Sequence, residues 1–172
     1  MNLQSNDFEL FDLPAQFAQD ADRIDARWKE LQRQAHPDKF AAQGAAAQRV
    51  AMQWSVRINE AYQRLRDPLR RAAYLCELHA APVNAENNTA MPPAFLMQQL
   101  EWREALDGAE SLEALEVIAD ETASAQTRQL QSIEKALDAD RDFVLAAQQV
   151  RSLMFIQKLG AEVETRIDKM SV

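Results

Sequence analysis

The scarcity of glycine constrains this chain more than any other feature. Only three of its 172 residues are glycine, whereas Ala, Leu, Gln and Glu are abundant. This mixture favours helices and leaves little material for the tight turns that join β-strands. Hydrophobic residues make up 47% of the chain, which is enough to form a core and argues against disorder. We therefore predict an all-α fold.

A segment rich in proline and asparagine divides the chain. Residues 81–93 contain three prolines and three asparagines, so we interpret them as a linker or an ordered loop. Residues 1–80 carry 11 acidic and 11 basic side chains, whereas residues 81–172 carry 16 and eight. The sequence thus predicts two domains, 1–80 and 94–172, with different partners. The net charge of −8 argues against nucleic-acid binding, which needs clustered Lys and Arg.

No targeting signal or membrane helix is apparent in the sequence. The first basic residue is Arg23, and no run approaches the roughly 18 apolar residues of a membrane span. We expect a soluble protein of the cytoplasm.

The sequence also lacks the patterns of enzyme and metal chemistry. It contains no Gly-rich phosphate loop, nucleophile elbow or paired-histidine zinc motif. The single cysteine, Cys76, excludes an internal disulfide and lies among apolar residues, so we expect it to be buried. His79 lies near a helix end and is interpreted as complementing the helix dipole. We expect no enzymatic activity, no cofactor and no metal.

Helices dominate the first half after a short apolar segment, residues 8–13, which Pro14 ends. The next helix is capped by Asp20 or Asp22 and reaches about Ala35. Its inward stripe has helical spacing and comprises Ile24, Trp28 and Leu31.

Two more helices follow over about residues 45–65 and 68–79. Asp67 is a predicted N-cap, with Pro68 at the first helical position. The predicted inward residues are Ala47, Val50, Ala51, Trp54, Ile58, Ala61, Tyr62 and Leu65 on the first, and Leu69, Ala72, Ala73, Leu75 and Leu78 on the second. We expect the helices on either side of residues 36–44 to pack antiparallel.

The tripeptide His36-Pro37-Asp38, here called the HPD loop, joins those two helices. Proline disfavours helical geometry at the residue before it, so the first helix must end at His36. His36 and Asp38 then lie in a rigid exposed loop, in which Asp38 can tighten the turn. Considered alone, His36 could be an ordinary loop histidine. A catalytic dyad with Asp38 would need further partners.

The helix before the HPD loop carries basic residues on its outer side. At about 100° per residue, Lys29 and Arg33 lie opposite the apolar stripe, and Arg27 flanks it. Two interpretations remain open. The face is either merely solvated, as is usual, or a docking surface for an acidic partner.

The helix predicted over residues 94–107 carries two apolar groups. The first comprises Phe95, Trp102 and Leu106, and the second comprises Leu96, Met97 and Leu100. The groups are offset by more than a quarter turn, whereas a helix against one layer needs a single stripe. Either both are buried between two other helices, or the second is an exposed patch bordered by Glu101 and Glu104, as partner sites are.

Two further helices complete a predicted antiparallel three-helix bundle. Gly108 ends the helix that carries the two apolar groups. Ser111 caps the next, which reaches about Leu137, and Asp138 or Asp140 caps the last. The last helix directs Val150, Leu153, Val163, Ile167 and Met170 inward, and its Gly160 could permit a close helix contact. Its Phe155 and Leu159 could belong to the core or extend the apolar group of Leu96, Met97 and Leu100.

In combination these elements resemble a known family. The first half of the chain resembles the J domain of DnaJ-type co-chaperones. The resemblance rests on the residue 8–13 segment, the basic helix, the HPDK loop and the sequence INEAYQRLRDPLRRAAYL at 58–75. This resemblance covers about residues 6–75. With FLMQQLEWREAL at 95–106 and the acidic helical tail, the whole chain resembles the HscB family of bacterial iron–sulfur cluster assembly.

The resemblance implies a co-chaperone with two partners. The basic residues Arg27, Lys29 and Arg33 would dock on a DnaK-class ATPase, called HscA in this pathway. The HPD loop would promote ATP hydrolysis by that ATPase. The C-terminal bundle would hold the scaffold protein IscU and deliver it to the ATPase. The implied scaffold-binding residues are Leu96, Met97, Leu100, Glu101, Glu104 and Phe155.

One residue departs from the family pattern, and two rival functions stay open. J domains commonly have tyrosine where this chain has Ala35, so the loop loses an aromatic brace.

A general J-type co-chaperone for unfolded clients is one rival function, although a Gly/Phe-rich segment and a zinc module are lacking. A structural adaptor with an inert J-like domain is the other, although the intact His-Pro-Asp argues against it. We expect a monomer.

Overall fold

The computed structural model describes residues 2–172, which form helices and turns without any strand. The prediction of an all-α fold is therefore confirmed over these residues. The α-helices are α1 Asp7–Leu10, α2 Ala21–Ala35, α3 Ala45–Arg66, α4 Pro68–Leu78, α5 Pro93–Gly108, α6 Leu112–Glu134 and α7 Phe143–Met170. The chain divides into two compact units, Met1–Leu75 (unit 1) and Cys76–Val172 (unit 2), and the division falls within α4.

Helix starts in unit 1 follow the capping rules. The Asp20 carboxylate accepts the Asp22 N–H at 2.9 Å at the start of α2, as predicted. Asp67 likewise accepts the Leu69 N–H at 3.1 Å before α4. Gly44, with φ of +98°, precedes α3 in a conformation that other residues rarely adopt.

The core of unit 1 lies between α2 and α3, with some departures from the predicted stripes. Ile24 and Leu31 are buried, and the Trp28 ring stacks on Tyr62 at 4.9 Å. Val50 is 52% exposed, because the first turns of α3 face a segment that buries none of its own residues. Leu78 is exposed too, since it ends α4 at a turn into solvent.

A buried carboxylate ties α1 to α3 and α4. Asp7 is fully buried, and its two oxygens accept hydrogen bonds from Arg57 Nη1 at 2.7 Å and Arg64 Nε at 2.6 Å. The Asp7 N–H donates to the Tyr74 hydroxyl at 3.0 Å, and the Arg64 guanidinium lies 5.0 Å from the Tyr74 ring centroid. The bond to Asp7 raises the pKa of Arg64. Charge neutralisation lets this carboxylate sit inside a small helical core.

Unit 2 contains a three-helix bundle of α5, α6 and α7. α5 and α7 run in the same direction, since Phe95 contacts Phe155 and Arg103 pairs with Glu162 further along both helices. The antiparallel α6 closes the core. The central buried residues are Trp102, Leu106, Leu115, Ile118, Ala125, Ile156, Leu159 and Val163. The Ser111 hydroxyl accepts the Ala114 N–H at 3.1 Å, as expected of a cap.

The connection between α6 and α7 differs from the prediction. Asp142 caps α7 by accepting the Leu145 N–H at 3.1 Å, so the prediction of Asp138 or Asp140 is wrong. The chain continues past α6 in a π-helical turn, Lys135–Ala139, and Arg141 then adopts a φ of 50°. Asp140 instead pairs with Lys135 Nζ at 2.8 Å. The extra turn moves the start of α7 beyond both predicted caps.

Two arginines of α7, the buried Arg151 and the half-buried Arg166, hold the main chain on either side of α5. Arg151 is 7% exposed and donates to the Val83 carbonyl at 2.8 Å and the Ala90 carbonyl at 2.9 Å. Arg166 donates to the carbonyls of Leu106 and Ala109 at the end of α5. These bonds supply donors to carbonyls at the end of α5 and in the loop before it. Val83 and Ala90, at the two ends of the segment 83–90, are thereby tied to α7.

The last helix also differs in two details from its predicted stripe. Met170 is exposed because it lies in the final turn, whereas Val150, Leu153 and Val163 are buried as predicted. A Cβ at Gly160 would lie 3.9 Å from Thr122 Oγ1, which is an ordinary van der Waals distance. The contact between α6 and α7 therefore does not require glycine.

Candidate functional site

The HPD loop follows directly from the end of α2. His36 has φ −61° and ψ 128°, an extended conformation that stops the helix before Pro37. Pro37 then opens a 3-10 helix over Pro37–Gln43, in which the Lys39 N–H donates to the His36 carbonyl at 3.0 Å. The predicted rigid loop is thus a short helical segment.

The two polar side chains of the loop face each other but remain open to solvent. His36 Nδ1 accepts the Asp38 N–H at 3.2 Å and lies 3.5 Å from Asp38 Oδ2. Their side chains are 55% and 92% exposed. A carboxylate so exposed cannot orient a buried imidazole as a catalytic base requires. The geometry suits presentation of both groups to a partner rather than chemistry on a small substrate.

The three basic residues predicted for docking are not equivalent. Lys29 and Arg33 are exposed on α2. Arg27 instead donates through Nε to the Phe11 carbonyl at 2.8 Å and pairs through Nη1 with Glu30 at 2.7 Å. Part of the Arg27 charge is therefore neutralised within unit 1. Lys29 and Arg33 carry the outward positive charge.

The two apolar groups of α5 separate cleanly in the structure. Trp102 and Leu106 are buried against α6 and α7. Leu96, Met97 and Leu100 are 50%, 62% and 58% exposed, so the alternative that both groups are buried is wrong. Glu101 and Glu104 are also exposed, and these five residues are called the α5 stripe. Adjacent exposed apolar side chains with an acidic border have the form of a partner site.

Phe155 and Leu159 both lie in or against the core of the bundle. Leu159 is buried, so it does not extend the α5 stripe. The Phe155 ring is half-buried and meets Phe95 edge-to-face at 5.9 Å, and Phe95 meets Trp102 in the same way at 6.0 Å. Phe155 therefore offers a partner only part of its ring.

The two residues set aside as structural occupy well-defined places in unit 2. Cys76 is fully buried as predicted, and burial raises the pKa of its thiol to about 11. The His79 ring stacks on Phe143 at 3.8 Å, and Arg141 Nη2 lies 3.2 Å from His79 Nε2. His79 thus makes a ring contact with the start of α7, which its sequence neighbours did not indicate. Residues 2–172 contain no group of three or more His, Cys, Asp or Glu placed to hold a metal.

Known proteins are similar to this chain over almost its whole length. Residues 91–164 match the family model described as the HSCB C-terminal oligomerisation domain. The co-chaperone protein HscB homolog of Burkholderia thailandensis is 48% identical over 173 residues, covering 99% of this chain and 98% of the relative. The chain belongs to the HscB co-chaperone family.

Solved HscB structures agree with both units. Chaperone HscB from Vibrio cholerae matches with a TM-score of 0.80 and 37% identity, over 96% of this chain and 99% of that one. Human co-chaperone HscB matches with a TM-score of 0.87 and 25% identity, over 96% and 84%. The name of the HscB family model refers to oligomerisation, and our expectation of a monomer stays a prediction.

Three residues that shape the HscB fold here were missed in the sequence. Asp7, Arg151 and Arg166 each bind groups far away in the chain. One signal was available for Arg151, because it is a charged residue between Val150 and Leu153 on a buried stripe. Such a residue needs a buried partner.

Over residues 2–172 no helix is both long and apolar enough to cross a membrane.

Proposed function

We propose that this HscB-family chain stimulates the ATPase of a DnaK-class, HscA-type chaperone and delivers to it an IscU-type iron–sulfur scaffold protein. It acts as a regulator in the cytoplasm and not as an enzyme. Residues 1–80 form the J domain, residues 81–93 the connection and residues 94–172 the scaffold-binding bundle. The observation that carries the proposal is an intact, exposed HPD loop beside a basic helix in a chain of this family.

The chaperone arm depends on the HPD loop and α2. Lys29 and Arg33 supply long-range attraction to an acidic surface, with Arg27 at its edge. His36 and Asp38 then contact the ATPase and stabilise the conformation that hydrolyses ATP. Stimulation requires that these contacts differ between the two states of the ATPase. Exposed ion pairs contribute little each, so the docking is transient and weakens with salt.

The scaffold arm depends on the α5 stripe. Leu96, Met97 and Leu100 provide the apolar centre of the contact, and Glu101 and Glu104 provide its polar border. Phe155 contributes the exposed part of its ring. Since one chain holds both partners, the scaffold reaches a high effective concentration at the chaperone.

Single-turnover ATP hydrolysis by the DnaK-class chaperone tests the proposal. The rate is measured with this protein alone and with the protein plus an IscU-type scaffold. We expect stimulation that rises synergistically with the scaffold. Stimulation by unfolded client, without a response to the scaffold, would instead support a general J-type co-chaperone. Absence of any stimulation would support the inert adaptor.

Substitution of the loop histidine separates the chaperone arm from the rest. We expect His36→Gln to abolish stimulation and to leave the melting temperature and scaffold affinity unchanged, because the side chain is exposed. His79→Gln is the matched control, since it makes the same change at the other histidine and should retain stimulation. Full stimulation by His36→Gln would contradict the role of the loop.

Truncation of the α5 stripe tests the scaffold arm. We expect Leu96→Ala combined with Met97→Ala to weaken scaffold binding about tenfold or more and to leave basal stimulation intact. Unfolding should change by less than about 1 kcal/mol, because both side chains are exposed. Val117→Ala, at an exposed apolar residue of α6, is the control. A loss of several kcal/mol of stability would mean that the stripe is core.

A further inference from the structure

An open apolar cleft lies next to the HPD loop in unit 1. It has a volume of about 350 Å³ and is bounded by the end of α2, the 3-10 helix and the first turns of α3. Its apolar lining comprises Ala35, Phe40, Ala47, Val50, Ala51 and Trp54. Gln34 and Gln43 complete the lining, so no charged side chain borders it. We call it the α2–α3 cleft.

Small side chains keep this cleft open. Ala35 is a buried residue of the lining, and its side chain is too short to fill the cleft. The 3-10 helix above it buries none of its residues, and Val50 on its wall is 52% exposed. Apolar surface that faces water in a concave site gains free energy when another apolar group enters.

The position of the cleft indicates which molecule enters it. The lining residues Ala35 and Phe40 lie on either side of the HPD loop in sequence, so a partner that binds the loop comes next to the cleft. Two exposed cations flank the lining in sequence, Arg33 next to Gln34 and Lys39 next to Phe40. A second copy of this hairpin would bring its own cations against these, which is unfavourable in a symmetric contact. The matching surface is an apolar side chain surrounded by acidic residues.

We propose that the α2–α3 cleft receives one large apolar side chain from the acidic surface of the DnaK-class ATPase. Ala35 is then the residue that determines which chaperone is accepted, because its size sets the depth of the cleft. The inference rests on the proposed function and names a contact of the same docking surface. It is separate from the ion pairs of α2, so it adds affinity that salt does not weaken.

Filling the cleft from within tests this contact. Ala35→Phe places a ring in the space that the partner would occupy. We expect the concentration for half-maximal ATPase stimulation to rise about tenfold or more, the value of one buried apolar side chain. The maximal stimulated rate should stay unchanged, since the HPD loop is intact. An unchanged or lower half-maximal concentration in a folded Ala35→Phe variant would overturn the proposal.

A matched pair on α3 keeps the test decisive if Ala35→Phe does not fold. Val50 lines the cleft and Val56 does not, yet they are 52% and 55% exposed on the same helix. We expect Val50→Ser to raise the half-maximal concentration about threefold and Val56→Ser to leave it unchanged. Equal effects of the two variants would overturn the proposal.

The wild-type protein distinguishes this inference from the function on which it rests. If the wild type does not stimulate the chaperone at all, the proposed function fails. If the wild type stimulates and both cleft variants match it, only the cleft contact fails.

Discussion

The two units each bury one arginine against main-chain carbonyls, Arg71 in unit 1 and Arg151 in unit 2, but among residues 2–172 only unit 1 also buries a carboxylate. In unit 1, Arg57 and Arg64 converge on the carboxylate of one fully buried residue, Asp7. In unit 2, Arg151 and Arg166 donate to neutral main-chain carbonyls. The Asp7 pairs neutralise charge inside a core, whereas the arginines of unit 2 supply hydrogen-bond donors to main-chain carbonyls.

The contacts of these side chains hold the two candidate surfaces, the α5 stripe and the HPD loop, to different degrees. Arg151 anchors residues 83–90 just before α5, and Arg166 binds the carbonyls at the end of α5, so the α5 stripe is clamped at both ends. The HPD loop lies far from the Asp7 network in sequence and in a segment without buried residues. The α5 stripe is thus preorganised, while the loop depends on the helix ends beside it.

The largest expected effect tests the buried charge of unit 1. We expect Asp7→Asn to lower the free energy of unfolding by about 3 kcal/mol or more, because two guanidinium groups lose their shared counter-charge. Denaturant unfolding followed by circular dichroism measures the change.

A partly exposed carboxylate provides the matched control for that substitution. Asp25 accepts hydrogen bonds from Tyr62 at 2.8 Å and Arg66 at 3.0 Å, but its side chain is 32% exposed. We expect Asp25→Asn to cost less than about 1 kcal/mol. Equal losses for the two variants would remove the distinction between buried and exposed pairs.

The next effect concerns the carbonyl-binding arginine of unit 2. We expect Arg151→Met to cost about 2 kcal/mol, because the Val83 and Ala90 carbonyls lose their donor while the stem volume is kept. Hydrogen exchange should rise in residues 81–93 and in the first turn of α5, as read by mass spectrometry.

Arg103→Met is the corresponding control within the bundle. Arg103 pairs with Glu162 at 2.8 Å, and both side chains are about 40% exposed. We expect a change below about 1 kcal/mol and no change in hydrogen exchange before α5. If Arg151→Met left that exchange unchanged, α5 would not be clamped by Arg151.

The smallest effect tests the packing between α6 and α7. We expect Gly160→Ala to raise the free energy of unfolding by about 0.5–1 kcal/mol, since alanine restricts the unfolded chain and favours helix. The new Cβ would sit 3.9 Å from Thr122 Oγ1. Thermal unfolding provides the measurement, and destabilisation would show that the helices are packed too closely there for a methyl group.

Local signals predicted most of the helices and caps. Asp20, Ser111 and Pro68 mark helix starts where expected, because capping involves hydrogen bonds within three residues. The cap of α7 was misplaced because a π-helical turn after α6 has no clear sequence signal. Periodicity predicted which residues share a face, but not which faces another element covers, so Val50 was misjudged and the burial of Leu159 was left open.

The candidate surfaces were predictable to different extents. The HPD loop and the α5 stripe follow from short motifs and from the angular offset on one helix. The hydrogen bond that holds Arg27 within unit 1 could not be predicted in this way, because its acceptor is the Phe11 carbonyl, 16 residues away. The α2–α3 cleft was not predicted either, since it depends on how three segments meet around Ala35.

The sequence alone determined that the chain is helical, where most of its helices begin, and which loop and stripe are candidate contact surfaces. These properties depend on interactions within one or two helical turns. Only the tertiary structure decided that Asp7 meets Arg64, 57 residues away, and that Arg151 meets Val83, 68 residues away. The physical reason is that such pairs exist only after the helices have packed, and no local pattern specifies which elements become neighbours.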